Sequence, residues 1–247
     1  MVVPLVRPLV PCHTLTPCRV LDWAQMPILD RELPPELSAA LQGARYVHDT
    51  AWNLGPEKLT PNSLRMHTFA GFLMIVFEHH DSTMVLFETG NNDGSAFALT
   101  RSIVETFYRG LWMFLCASEQ QVMQIRSGGK PYPTFIKMTD AVDQQVGGFA
   151  NLTLDDPIWK ALNGFTHSGV EQLVRRYNKT GDIIPNYPPK EVIQLLRFGT
   201  LLLSVMAQFF CIQAGRPSDG NEILASWRSA FDEPLPEDRN VPMVTIH

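Results

Sequence analysis

Residues 95–118 read SAFALTRSIVETFYRGLWMFLCAS, a stretch that is apolar at most positions. Three charged side chains interrupt it at four-residue spacing, namely Arg101, Glu105 and Arg109. On a helix, with ~100° between successive residues, these charges fall in one narrow arc. A surface helix carries a broad polar half, so a narrow polar stripe on an apolar rod predicts a helix that is buried on most sides.

Apolar residues recur at helical spacing through most of the chain, and no run alternates long enough to require a strand. We therefore expect an all-α fold, a helical bundle of about six to seven helices with an extended N-terminal arm. The helices are predicted at about 34–53, 61–88, 93–126, 134–145, 155–178, 189–214 and 221–231, with the third capped by Asp93 or Ser95.

Proline and charge divide the chain into three parts. Residues 1–33 are Pro-rich and weakly periodic, which predicts an arm, and residues 34–231 are expected to form a single helical-bundle domain. Residues 232–247 form an acidic, Pro-rich tail. The apolar run at 198–215 approaches the length of a membrane span, but it contains Ser204 and Gln208, and we interpret it as a buried core helix of a protein that does not enter membranes.

Charge and cysteine content exclude several classes of function. The net charge is -5, so the chain as a whole lacks a strongly basic nucleic-acid footprint, which leaves a local basic patch open, and no DNA partner is predicted. The four cysteines form no CxxC pair, which predicts neither disulfides nor a metal site and favours a reducing cytoplasm. No cofactor-binding motif is present.

Two interpretations of the stripe remain open. In the first it is a solvent-facing edge, where each Arg–Glu pair contributes only ~0.2–0.5 kcal/mol. In the second it faces a polar pocket between helices, where the charges must be paired because lone buried ions cost several kcal/mol. Large amphipathic rings share the arc, so the predicted ligand-binding residues are Arg101, Glu105, Tyr108 and Trp112.

Histidines supply the candidate acids and bases. His80 falls in the middle of the apolar face of the second helix, which predicts either a core histidine bonded to a polar neighbour or a titrating catalytic group. His167 shares a polar face and is flanked by Gly164 and Gly169, which permit close approach of a helix or ligand. The predicted catalytic residues are His80, His167 and Arg109, and Arg175 and Arg176 are further anion contacts.

Several segments carry a family resemblance in order along the chain: EHHDST, SAFALTRSIVETFYRGLW, CAS, and FTHSG followed by VRR. Together they resemble an uncharacterised family of bacterial helical proteins, over about residues 60–215. More loosely, the pattern is similar to HEPN-like helical domains of toxin–antitoxin and abortive-infection systems. That resemblance implies a metal-independent RNase with an Arg and a His close together on one helix. No arginine stands four to six residues before His79, His80 or His167, so Arg101 or Arg109 would have to meet a histidine across helices.

Three functions follow from this pattern, of which an enzyme that acts on a small molecule in the same pocket is the least favoured. The first is a polar pocket for an anionic ligand, a nucleotide or RNA phosphate, with an HEPN-like RNase of a toxin or phage-defence system as its catalytic version. The second is a non-enzymatic module for homodimerisation or partner binding, in which the Arg/Glu stripe is a structural ion network.

Overall fold

The computed structural model describes residues 33–56, 61–89, 92–147, 162, 164–166, 170–177 and 186–231, and within these ranges the regular structure is helical, with no β-strand. The predicted all-α class is therefore confirmed. The helices are α1 (Pro35–Leu54), α2 (Leu64–Thr89), α3 (Asp93–Leu115), α4 (Glu119–Arg126), α5 (Phe135–Val146), α6 (Val170–Val174), α7 (Pro189–Gln213) and α8 (Pro217–Phe231).

Helices α2, α3 and α7 form the centre of the bundle. Helix α2 packs along α3, and α7 packs against α1, α2, α3 and α8, while α5 covers another side of α3. Among the described residues, α7 is the one helix long and apolar enough to cross a membrane, by length and composition alone. Its buried residues face the other helices, as expected for a core helix, and the absence of a membrane role stays a prediction.

The buried side chains form two clusters along the bundle. One cluster centres on the middle of α2, α3 and α7, and includes Phe69, Leu73, Ile103, Phe107, Tyr108, Leu203 and Met206. The other joins α1 to the start of α3 and the start of α7, and includes Leu37, Leu41, Phe87, Phe97, Phe165, Tyr187 and Leu196. Helix α3 contributes residues to both clusters, so it packs against the core along most of its length.

Gly110 allows the central helices to approach closely. A Cβ placed on this residue would lie 2.5 Å from Met206 Cε on α7 and 3.1 Å from Phe72 Cβ on α2. Such a distance to the α2 side chain leaves no room for even a methyl group without a shift of a neighbour. The close packing explains why a glycine is tolerated within a helix, where it usually costs stability.

The third predicted helix is wrong in its length, because the chain breaks at residues 116–118. Ser118 starts α4 with a capping box: its hydroxyl accepts from the Gln121 N–H at 3.3 Å, and the Gln121 side chain accepts from the Ser118 N–H at 2.8 Å. Arg65 binds the carbonyls freed at the end of α3, with Nη1 2.8 Å from Met113 O and 2.9 Å from Phe114 O.

The last predicted helix begins earlier than expected. Gly215 has a φ of 76°, which ends α7 in the left-handed conformation, and Pro217 opens α8 four residues before the predicted start at 221. Of the helix predicted at 155–178, the described residues 162, 164–166 and Val170–Val174 are helical, whereas residues 175–177 are not, so the predicted end at 178 is wrong. The predicted arm and the predicted tail lie outside the described residues, apart from Leu33 in the arm.

Candidate polar face of helix α3

Glu105 joins the three charges of the stripe on α3. Its Oε1 accepts a hydrogen bond from Arg101 Nε at 2.8 Å, and its Oε2 lies 2.7 Å from Arg109 Nη2. The side chains of Arg101 and Glu105 are each 18% exposed, whereas that of Arg109 is 42% exposed. The inner two charges are thus largely withdrawn from water and paired, while Arg109 keeps contact with solvent.

The C-terminal end of this stripe borders the segment before α5. The Arg109 guanidinium lies 5.8 Å from the centre of the Tyr132 ring, and Trp112 lies 5.7 Å from the same ring. Burial raises the pKa of Tyr132, and the positive charge of Arg109 opposes that rise. Tyr108 is fully buried and packs edge-on against Phe135 of α5 at 5.7 Å. Tyr108 therefore packs α3 against α5, whereas Arg109 and Tyr132 form the accessible end.

Arg175 belongs to the opposite, N-terminal end of α3. Its guanidinium lies 5.4–5.8 Å from the centres of three aromatic rings, Phe97, Phe165 and Tyr187. Its Nη2 is also 2.5 Å from Glu191 Oε2. A guanidinium that is both paired and enclosed by rings fastens the chain after α6 to α3 and to the start of α7.

Arg176 differs from its neighbour in having no ion pair within the described part of the chain. The residue is half-buried, and its Nη2 lies 3.3 Å from the position that a Cβ on Gly94 would take. Gly94 is in the first turn of α3. Arg176 therefore presents a positive charge to the start of the helix that carries the stripe.

The site around Arg109 and the site around Arg175 and Arg176 lie on one face of α3. At ~100° per residue, Gly94, Phe97, Arg101, Glu105 and Arg109 fall within ~120° of arc. At ~1.5 Å rise per residue, this face extends ~22 Å from Gly94 to Arg109. We call it the polar face of α3. It brings together the four arginines that the sequence singled out, two from α3 itself and two from the distant 175–176 pair.

His80 lies elsewhere, in the core between α1, α2 and α7. It is 1% exposed, with Nε2 2.8 Å from Thr200 Oγ1 and Nδ1 3.2 Å from His48 Nδ1. The Thr200 hydroxyl donates to Leu196 O at 2.7 Å, so it accepts from His80 Nε2–H. His80 Nδ1 is then the acceptor for His48 Nδ1–H, so His80 is neutral. Burial also lowers the pKa of His48.

The environment of His80 does not support a role as an acid or base for a ligand on the polar face. Its hydrogen-bond partners are on α1 and α7, whereas Arg109 contacts Glu105 and Tyr132, so the two share no contact among the described residues. Burial, with smaller contributions from His48 and Arg45, lowers the pKa of His80 to about 3. The other predicted catalytic histidine, His167, lies outside the described residues.

Sequence reasoning missed the residues that complete these contacts. His48, Thr200, Glu191 and Tyr187 are distant in sequence from the groups they touch. Tyr187 precedes two prolines in a segment with no helical periodicity, and a large aromatic residue placed there was the one local signal of a buried contact. Across the described ranges, no three His, Cys, Asp or Glu side chains come together as a metal-binding group.

Comparison with known proteins gives one family match. The model of a family described as "Family of unknown function (DUF6988)" matches residues 73–237, well over half of the chain. No curated protein and no solved structure matches. The expectation of an uncharacterised family is confirmed.

The pH dependence of stability tests the buried histidine pair. The unfolded chain protonates histidine near pH 6.5, whereas folded His80 stays neutral down to about pH 3. Between these values the unfolded state binds more protons, so we expect the free energy of unfolding to fall as pH falls through this window. His80→Gln should be less stable at pH 7 and should flatten that slope in urea titrations. An equal slope in wild type and His80→Gln would contradict the assignment.

Proposed function

The chain belongs to this family of unknown function, and from the contacts of its own residues we propose that it binds an anionic ligand, a nucleotide or an RNA phosphate, along the polar face of α3. The supporting observation is that four arginines from two distant parts of the sequence lie along one face of α3, Arg101 and Arg109 on the helix itself and Arg175 and Arg176 at its N-terminal end. Arginine suits phosphate oxygens because its planar fork donates several hydrogen bonds in fixed directions.

The charge balance along this face favours an anion. Glu105 is shared between Arg101 and Arg109, and Glu191 is paired with Arg175. Arg176 has no ion-pair partner within the described ranges. One carboxylate between two arginines leaves an excess of positive charge at the accessible Arg109 end.

The same end also offers a surface for a base. The Tyr132 ring is half-buried beside the Arg109 guanidinium, with Trp112 beyond it. Aromatic rings next to a guanidinium bind nucleotides by stacking the base while the cation contacts a phosphate. We therefore favour a nucleotide or single-stranded RNA over a small inorganic ion as the ligand of this end.

Binding is proposed without catalysis. The HEPN-like RNase version, suggested by the looser sequence resemblance, needs a histidine within hydrogen-bond reach of the phosphate held by an arginine. His80 is enclosed in the core by its own partners, so of the two histidines predicted from the sequence His167 remains as the candidate. Cleavage is thus a separate claim, tested beside binding.

A binding and cleavage assay tests this proposal. We expect fluorescently labelled single-stranded RNA to bind wild-type protein at low salt, and Arg109→Gln to weaken binding several-fold and reduce the salt slope by about 1, since one phosphate contact is lost. Arg228→Gln on α8 is the matched control and should bind as wild type. Equal affinity for wild type and Arg109→Gln would contradict the proposal.

The RNase version is tested in the same samples with EDTA present. It requires cleavage that Arg109→Ala and His167→Ala abolish. Equal cleavage by all three proteins would show that a contaminating RNase is responsible, and it would reject the RNase version of the proposal.

A second candidate function is self-association through α2. Its inner side fills the core, and its outer side carries, together with the exposed Glu78, four apolar residues that are 38–43% exposed, namely Leu64, Met74, Ile75 and Val85. Gly71 lies among them, and a methyl group placed on it would have no other atom within 4 Å, so a second helix could approach its backbone. Exposed apolar patches of this kind commonly mark protein interfaces, and here we propose a second copy of the chain as the partner.

Sedimentation velocity over a concentration series tests self-association. We expect wild type to dimerise and Ile75→Glu to shift the equilibrium to monomer, because a buried unpaired carboxylate is costly in an interface. Ile136→Glu changes an apolar residue that is 70% exposed on α5, outside this face, and should dimerise normally. A wild type that stays monomeric at every concentration would reject this candidate.

A further inference from the structure

Three hydrogen-bonding groups converge on the first turn of α3. A Cβ placed on Gly94 would lie 2.7 Å from the Tyr187 hydroxyl, 3.3 Å from Arg176 Nη2 and 3.3 Å from Gln172 Nε2. The three side chains come from two separate segments, the region of α6 and the residues before α7. These distances are too short for a Cβ, so the glycine lets the three groups approach the backbone of the first turn closely.

The Tyr187 hydroxyl has no protein partner among the described residues. The residue is 4% exposed, and its oxygen makes no hydrogen bond within that part of the chain. A buried hydroxyl without a partner is unfavourable, and buried polar groups are otherwise nearly always satisfied. The Tyr187 ring is held in place by Phe97, 5.0 Å away between ring centres, and by the Arg175 guanidinium at 5.5 Å. The hydroxyl is therefore fixed toward α3 rather than free to turn toward water.

Two arginines and one carboxylate act on this hydroxyl. Burial raises the pKa of Tyr187, and Arg176, followed by Arg175, opposes the rise. Asp93 in the first turn of α3 also raises this pKa, but its effect is weaker than that of either arginine. Since Glu191 neutralises Arg175, Arg176 is the cation left to interact with an incoming anion.

The helix itself adds to this field. Helix α3 has 23 residues, and its N-cap, Asn92, makes no side-chain hydrogen bond to the first turn. The first N–H groups of a helix have no intrahelical partner and carry a partial positive charge, which makes the start of a helix favourable for phosphate. The Tyr187 hydroxyl, the Arg176 guanidinium and the Gln172 side-chain amide lie next to the first turn of α3.

We infer that Tyr187, Arg176, Gln172 and the N-terminus of α3 form a subsite for one phosphate group. Hydroxyl, guanidinium and side-chain amide can all donate hydrogen bonds, and a phosphate offers several oxygens that accept them. The subsite rests on the proposed function and deepens it, since a phosphate held ~22 Å along the polar face from Arg109 would belong to a single-stranded RNA rather than to a mononucleotide. A carboxylate has the same acceptor chemistry in a planar form and is therefore the competing ligand class.

Amide NMR of the full chain gives a direct readout, with the Gly94 N–H as the probe. Inorganic phosphate added at constant ionic strength should shift this resonance saturably, whereas chloride should not. Acetate should bind more weakly, because it offers two oxygens rather than four; acetate binding as tight as phosphate would replace phosphate by carboxylate as the ligand class and overturn the assignment.

Three variants locate the binding. Tyr187→Phe and Arg176→Gln should each weaken phosphate binding about tenfold, as expected for the loss of a hydrogen bond to a charged group. Arg228→Gln on α8 removes a cation far along the chain from this subsite and should bind as wild type. No saturable shift at Gly94, or equal affinity for Tyr187→Phe and wild type, would overturn the subsite.

Thermal melts without phosphate separate a binding role of Tyr187 from a structural one. Because its hydroxyl has no partner among the described residues, Tyr187→Phe should melt at the same temperature as wild type or higher. A clearly lower melting temperature would show that the hydroxyl serves the fold and would overturn its assignment to a ligand. If phosphate binds at Gly94 while Arg109→Gln leaves RNA binding unchanged, the subsite stands and the proposed function fails. If Arg109→Gln weakens RNA binding while phosphate does not shift the Gly94 resonance, the proposed function stands and the subsite fails.

Discussion

A helix that is buried on most sides cannot carry unpaired charge, and this constraint governs α3. Glu105 satisfies it by binding Arg101 with one carboxylate oxygen and Arg109 with the other. The same rule accounts for His80, which stays neutral and bonded to Thr200 and His48. Nearly every buried polar group in a folded protein is paired, so a buried group without a partner indicates a functional role. The buried hydroxyl of Tyr187 is therefore stronger evidence for a ligand site than the histidines are.

Apolar periodicity was enough to predict the fold class and most of the long helices. The predicted limits of α1, α2, α5 and α7 agree with the structure within a few residues, because each of these helices has a continuous apolar side and a clear start or stop signal. The i,i+4 spacing of Arg101, Glu105 and Arg109 also predicted their pairing, since residues at this spacing are neighbours on a helix surface. The local sequence was therefore sufficient to predict which charged side chains pair with one another along α3.

Contacts between distant segments could not be predicted in this way. The break between α3 and α4 has a local signal, the Ser118–Gln121 capping box, but apolar periodicity continues across it and hid the boundary. Tyr187 and Arg176 meet Gly94 only because α6 and α7 pack near the start of α3, and no single-helix pattern encodes that arrangement. Likewise, the sequence left His80 either structural or catalytic, and its contacts with Thr200 and His48 on other helices favour the structural role.

The coupling free energy between Arg101 and Glu105 tests most directly whether the polar face of α3 is withdrawn from water and internally paired. It is obtained from the unfolding free energies of wild type, Arg101→Gln, Glu105→Gln and the double variant. We predict a coupling of at least about 1 kcal/mol, above the ~0.3–0.5 kcal/mol of exposed helix pairs, because both side chains are largely shielded from solvent. A coupling near zero would mean that water solvates these charges, and it would contradict the shielded, internally paired character of α3.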